Sequence, residues 1–351
     1  MKENKIPVGA IGLGRLGYLH AVNLSTKINS IKLVAVAEPY DTVREKFSSE
    51  FNVKAYKDYH DLINNPEIKA VVITTPTSTH VEIAKEAINA GKYVFTEKPT
   101  SDTLAGAKEL YEFVEKKDAF LQVGFMMRFY PGHVGAKQNI LNGKIGKPVY
   151  FQSCGRDSGV PKLEFVKKSG GIIFDMMIHD LDLARWYLQS EPIKVYAQGG
   201  VLMHDYLKGI DLDEAIVIVE FEDDKMANLE VSRNCKYGYD ARHEIIGDKG
   251  AVRVGPQRDR PYSLFTTFSN KDQHFEYGKE GELCDSRKID ELCSNAMLQW
   301  QSSYIAEFEY FAEHIMKDIK PELTAYDSFM AIKICEAAYR SIKEGKPIYL
   351  K

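Results

Sequence analysis

The chain is poor in the features that mark extracellular, membrane or nucleic-acid-binding proteins. It has only five cysteines among 351 residues, Cys154, Cys235, Cys284, Cys293 and Cys335. An odd, scattered set with no CxxC spacing argues against a disulfide framework and against a zinc site, and reads as reduced thiols of the cytoplasm. No apolar run is long enough to span a bilayer, and MKENKIPVGAIGLG runs straight into a strand-like segment, with none of the charged and apolar regions of a secretory leader. Excess charge of one sign is missing too: 46 Lys and Arg face 50 Asp and Glu. Near balance offers no electrostatic footprint for nucleic acid or an anionic membrane, so a small-molecule partner is expected. Internal repeats and low-complexity tracts are absent.

What is present divides in two, as the length leads one to expect. Up to about Asn142 the strand-like runs VGAIGL, IKLVAVAE, AVVITT, GKYVFTE and AFLQVGF alternate with amphipathic stretches such as STHVEIAKEAINAG. That alternation predicts βαβ units and a parallel sheet covered by helices. Beyond NGKIGKP the texture changes: Val149 to Cys154, IKVYAQGGVL, DEAIVIVEF, MANLEVSRNC and HEIIGDKGAVRV are strand patterns separated by short turns, which predicts a mostly antiparallel sheet. Two helical stretches close the chain, about Trp300 to Met316 and Ala325 to Lys343, while Gln257 to Leu298 shows no period. The fold class is therefore an α/β N-terminal nucleotide-binding domain, residues 1–125, with the C-terminal helices available to pack back on it. An α+β domain with an open, mostly antiparallel sheet follows, residues 126–351, for substrate and oligomerisation.

The N-terminal run VGAIGLGRLGYLHAVNL sets Gly12, Gly14 and Gly17 in a GxGxxG array after a strand and at the mouth of a helix. Gly12 makes the tight turn, Gly14 admits a pyrophosphate, Gly17 lets helix and strand touch, and the helix N-terminus favours the anion. Arg15 and Leu16 follow in the same turn. An acid belongs about 20 residues further on, and Glu38 stands there at the end of KLVAVAE. A carboxylate accepts from ribose hydroxyls and repels a 2′-phosphate, and Arg44 is the first arginine after it, so NAD is expected over NADP.

Three further segments, TTPTSTH, FTEKPT and GFMMRF, together with the glycine loop, resemble the Gfo/Idh/MocA family of nicotinamide-dependent sugar oxidoreductases. The resemblance spans the chain, and SGGIIFDMMIHDLDLARW, SRNCKYGYDARHEIIGDKG and AYRSIKEGKPIYL look most like its inositol 2-dehydrogenase branch. It implies a Rossmann domain with NAD as cofactor, Thr75, Pro76 and His80 along that cofactor, Glu97 and Lys98 near the nicotinamide, and a cis peptide before Pro99. It also implies polyol contacts from Arg128, Asp157 and Tyr237 or Tyr239, in addition to Asp175 and His179. CGRDSGVP carries no histidine where myo-inositol enzymes look more like HRN, which leaves the isomer, and a related sugar as substrate, open. A sensor that binds NAD without turnover is a further alternative.

The residues of GGIIFDMMIHDLDLARWYL give an independent reading. On an ideal helix capped by Ser169 and counted from Asp175, His179 falls at about 40° and Asp182 at about 340°, while apolar side chains cover most of the circumference. The expectation is a buried helix with one polar seam, Asp180 lying off it at about 140° as a structural acid held by backbone or arginine, and Asp182 pairing with Arg185. A titratable pair inside an apolar envelope suits a tuned base. Following the family, His179 is the expected base, Lys98 the cation and proton partner, and Asp175 the orienting group. No metal is expected. A homo-oligomer, dimer or tetramer, is expected through the apolar sheet.

Overall fold

The computed structural model describes residues 5–235, 239–257, 260–266 and 300–350. It divides into two compact units, Met1–Met126 with Ser302–Met330, and Met127–Gln301 with Ala331–Lys351.

The first unit holds β1 (Ile6–Ile11), β2 (Ile31–Ala37), β3 (Lys54–Tyr56), β4 (Ala70–Ile73), β5 (Tyr93–Glu97) and β6 (Leu121–Gly124). They form one sheet in the order β3-β2-β1-β4-β5-β6, every pair parallel. Both faces of such a sheet are covered, which is why AVVI in β4 is buried at every position instead of alternating. The order reverses between β1 and β4, and the crevice beyond the strand ends at such a reversal is where open α/β sheets take ligands. Helix Gln301–Lys317 contributes Phe308, Phe311, Ala312 and Ile315 to the same core as Val8, Val72 and Phe95.

The second unit holds β7 (Pro148–Arg156), β8 (Pro192–Gly200), β9 (Glu214–Phe221), β10 (Met226–Ser232), β11 (Asp240–Gly247), β12 (Gly250–Gln257), β13 (Arg260–Thr266) and β14 (Ile348–Tyr349). Their order is β13-β12-β11-β7-β10-β9-β8-β14. Pairing is antiparallel except between β7 and β10. Burial alternates along β9 and β10, so one face is core and the other carries Tyr196, Ile216, Ile218 and Met226 exposed. Strand β13 falls in the stretch without a sequence period, most of which lies outside the described residues, as does Tyr237. Among the described residues no helix is long and apolar enough to cross a membrane.

Candidate active site

The turn after β1 is built as its glycines require. Gly12 has φ +93°, and a Cβ there would stand 2.9 Å from the Thr74 carbonyl carbon and the Thr75 nitrogen. A Cβ on Gly17 would come within 2.4 Å of the Gly12 oxygen, so helix Arg15–Thr26 can lie against β1 only without one. Gly14 is exposed, with open space where its side chain would be, and it caps that helix without any side-chain hydrogen bond or acid in the first turn. Helix N–H groups aimed at open space next to a bare glycine suit the diphosphate of a dinucleotide. Arg15 is exposed and Leu16 half-buried beside it.

Glu38 is buried at the end of β2, where its carboxylate accepts from Leu13 N at 2.7 Å and from Tyr40 N at 3.1 Å. It thus ties the glycine loop to the second strand, and a carboxylate with two accepted bonds keeps lone pairs for ribose hydroxyls. The sequence places Arg44 too far along to be a neighbour, but one turn of helix Asp41–Phe51 brings it back. Its guanidinium donates to the Glu38 backbone carbonyl at 2.9 Å and to Asp41. A cation therefore does stand beside Glu38, already engaged by Asp41.

Thr75 is half-buried and Pro76 exposed at the turn after β4, where Thr79 Oγ1 donates to Thr75 Oγ1 at 2.7 Å. His80 lies beneath it, buried, with Nε2 2.8 Å from the Thr75 carbonyl and Nδ1 2.9 Å from that of Pro99. Burial outweighs these two carbonyls and holds the imidazole below its ordinary pKa, so the neutral ring donates to one of the two turns and only packs against the carbonyl of the other. The Lys98–Pro99 peptide is cis. Glu97 is buried and Lys98 half-buried at the end of β5, and Lys98 N donates to Glu97 Oε2 at 3.0 Å.

In the second unit GGIIFDMMIHDLDLARWYL is not one uniform helix. Ile173–Met177 forms a π-helical turn and the α-helix runs only from Ile178 to Leu188. The wider turn displaces the angles counted from Asp175, and π turns of this kind recur at functional sites. Ser169 does not cap the helix; its hydroxyl accepts from Gly171 N at 3.3 Å, holding the turn through Gly170 and Gly171, both at positive φ. His179 is buried within the helix and Asp175 half-buried before it.

Two expected pairings are corrected. Asp180 bonds neither backbone nor arginine but His243, at 2.7 Å, because β11 brings that imidazole under the helix. Asp182 does not pair with Arg185: it accepts two bonds from Arg128, at 2.8 and 2.6 Å, and Arg185 turns to Glu191. Arg128 and Asp182 are both buried, and a buried guanidinium needs a counter-charge. Two of its donors thus serve Asp182. Asp157 is half-buried at the end of β7, its backbone joined to Ser232 and Cys235. Tyr239 accepts from Trp300 Nε1 at 3.2 Å.

The sequence reading passed over Arg233, Asp211 and Tyr339. Arg233 is wholly buried, bonded to Asp211 at 2.5 Å and to Asp175 at 3.2 Å. Asp211 Oδ1 also accepts from Ile172 N at 3.1 Å, and the Tyr339 hydroxyl from Ile173 N at 3.3 Å. These groups fix the π turn and aim Asp175. The available signal was an arginine directly after the apolar strand MANLEVS, where a charge needs a reason to be buried.

Residues 6–125 match the oxidoreductase family with an NAD-binding Rossmann fold, and residues 137–350 match its C-terminal alpha/beta domain. The chain belongs to this Gfo/Idh/MocA oxidoreductase family. It is 34% identical over 350 residues to the scyllo-inositol 2-dehydrogenase (NAD(+)) of Bacillus subtilis, covering 99% of this chain and 97% of that one. Against the myo-inositol 2-dehydrogenase of Thermotoga maritima it is 32% identical, covering 98% of each. The crystal structure of scyllo-inositol dehydrogenase from Lactobacillus casei with bound NAD(H) and scyllo-inositol superposes with a TM-score of 0.83 at 28% identity, over 98% of this chain and 99% of that one.

Proposed function

We propose that the protein is an NAD-dependent dehydrogenase that oxidises a secondary ring hydroxyl of a cyclitol, with myo- or scyllo-inositol as first substrate and an inosose as product. The observation that carries this reading is the end-to-end likeness to dehydrogenases named for inositol, one of them holding both NAD(H) and scyllo-inositol.

Oxidising the alcohol removes a hydroxyl proton and a hydride from the same carbinol. NAD, when bound, supplies the hydride acceptor. The remaining tasks fall to this chain: a base for the hydroxyl proton, a cation for the developing alkoxide, and a group that holds the base still. We assign them to His179, Lys98 and Asp175 in that order. A half-buried Asp175 fixed by Arg233 suits the third task, since an anchored carboxylate costs little further ordering. Gly12, Gly14, Arg15 and Leu16 would take the pyrophosphate, Glu38 the adenosine ribose, and Thr75, Pro76 and Glu97 the cofactor further along, with His80 as the brace beneath them. Asp157 is the further candidate for polyol hydroxyls. The division of labour follows the chain, residues 1–125 for cofactor and 126–351 for substrate and assembly.

Assembly as a homo-oligomer would use the exposed sheet face. Tyr196 stands opposite Ile218 across β8 and β9, and apolar side chains of this size rarely line a solvated sheet face together. With no marked basic surface in the composition and no CxxC pair, a cytoplasmic enzyme of small molecules is the consistent setting.

The test is NADH formation by purified protein across a panel of inositol isomers, pyranoses and linear polyols. Turnover of one or more inositols is expected; activity confined to a linear polyol would contradict the ring-hydroxyl reading.

A further inference from the structure

Behind the strand end that carries Lys98, Glu97 meets two buried groups, His20 and Glu307, that have no task in the reaction above. His20 from helix Arg15–Thr26, Glu97 from β5 and Glu307 from helix Gln301–Lys317 each bring one polar atom within 4.8 Å of the others. His20 Nε2 lies 2.7 Å from Glu97 Oε1, and the other Glu97 oxygen accepts from Lys98 N at 3.0 Å. Glu97 is therefore engaged on both oxygens. Glu307 is 0% exposed, and neither of its carboxyl oxygens has a hydrogen-bond partner among the described residues.

Among the described residues no cation is bonded to the Glu307 carboxyl to balance a second negative charge. The His20 ring is edge-on to Tyr304 at 5.1 Å and Phe308 at 5.0 Å, and Phe95 lies 6.4 Å away. A Cβ on Gly124 would stand 3.0 Å from the Glu97 carboxyl, so that side chain folds over a bare glycine. From β6, Gln122 donates Nε2 to the Glu307 backbone carbonyl at 3.2 Å, and its own Oε1 is buried with no partner. The polar groups brought to Glu307 are His20 and Glu97, with Gln122 on its backbone carbonyl and the buried hydroxyl of Ser303 one turn earlier on its own helix. His20 Nδ1 is buried with no hydrogen-bond partner among the described residues. A proton there would be an orphaned donor, whereas the bare lone pair of the neutral ring costs less. The same orphan argues against a metal, whose histidine ligands almost always donate through the other nitrogen. Two carboxylates this close in a dry enclosure cannot both ionise.

We propose that Glu307 carries a proton at neutral pH and offers it to Glu97, forming a carboxyl–carboxylate pair that positions the Lys98 turn. Burial and the Glu97 charge both push Glu307 well above the ordinary glutamate range, in keeping with this arrangement. Glu307 is a positioning residue: it acts on Glu97, which holds Lys98 N. Its effect on turnover rests on the role assigned to Lys98, while the proton itself does not.

Two measurements on the full-length protein need no substrate. The infrared difference between wild type and Glu307→Gln at pH 7 should show the carbonyl stretch of a protonated carboxyl in wild type only. A raised glutamate contributes stability that is complete below its unfolded value of 4.5 and is lost as pH rises through the folded value. The Tm of wild type should accordingly fall relative to Glu307→Gln between about pH 5 and 8. On substrate, Glu307→Gln should stay within about three-fold of wild-type kcat, whereas Glu307→Leu should lose about ten-fold or more with NADH affinity kept. If Glu307→Gln does not fold, the wild-type band, followed from pH 5 to 8, decides alone. Absence of the band at pH 7, or about one tightly bound metal per chain by elemental analysis, overturns the proton assignment. A band accompanied by unchanged kcat in Glu307→Leu overturns the positioning role. Failure of the Lys98 reading shows separately, as a Lys98→Ala variant that turns over normally while the band persists.

Discussion

Replacing Glu38 by serine tests the cofactor reading at one atom pair. The carboxylate accepts from Leu13 N at 2.7 Å and Tyr40 N at 3.1 Å and is 6% exposed, so it braces the glycine loop, and in the proposed reading it also accepts from the ribose. A hydrogen bond to an ionised group contributes about 1.5–3 kcal/mol. Serine is too short to reach either partner or the ribose. Losing one such ribose contact should lower kcat/KM for NAD by about ten- to one-hundred-fold. NADP gains on two counts. The repulsive charge at the 2′ position is gone, and Arg44, already donating to the Glu38 carbonyl, remains as a cation beside it. The NAD to NADP ratio of kcat/KM should narrow by at least about ten-fold. The assay is initial-rate kinetics with both cofactors on the best polyol, with Tm recorded to separate loop loosening from lost recognition. An unchanged ratio would show that Glu38 braces the loop and does not meet the ribose.

Asp182→Ala should cost about 3–5 kcal/mol in urea unfolding, because it leaves the buried Arg128 guanidinium without its counter-charge; a loss under about 1 kcal/mol would mean that another group or water takes over the pairing. Arg233→Met should lower both Tm and kcat, since it leaves the buried Asp211 without its counter-charge and Asp175 without its anchor; wild-type kcat in a folded variant would show that Asp175 needs no such anchor. Sedimentation in dilute buffer should give a dimer or tetramer for wild type, and Ile218→Arg on the exposed face of β9 should shift it toward monomer; a wild-type monomer at micromolar concentration would refute assembly through this sheet.

Much of this was legible in the sequence because it follows from local rules. Gly12 and Gly17 announced a turn and a contact that no other residue allows, and Glu38 stood where the second strand had to end. DEAIVIVEF and MANLEVS alternate with period two and became neighbouring strands. What stayed hidden depends on residues distant in sequence. Nothing in DLDLAR says that Asp180 meets His243 or that Asp182 prefers Arg128 to Arg185 three positions away. Those choices are made when β11 and the Arg128 turn arrive at the helix. Arg44 shows the same limit at short range, since a helix turn reversed a separation counted along the chain. The π turn at Ile173–Met177 was equally hidden. It is held by Asp211, Arg233 and Tyr339 from three other segments, and a wheel drawn at constant pitch cannot contain it.

The most direct test of the account is the turnover of His179→Ala measured beside its NADH affinity. The account predicts kcat lower by on the order of 100-fold or more with NADH binding, followed by fluorescence, close to wild type, because the base is lost and the glycine loop and Glu38 are untouched. Near-normal kcat in that variant would mean that His179 is a packed core histidine and that the proposed mechanism is wrong.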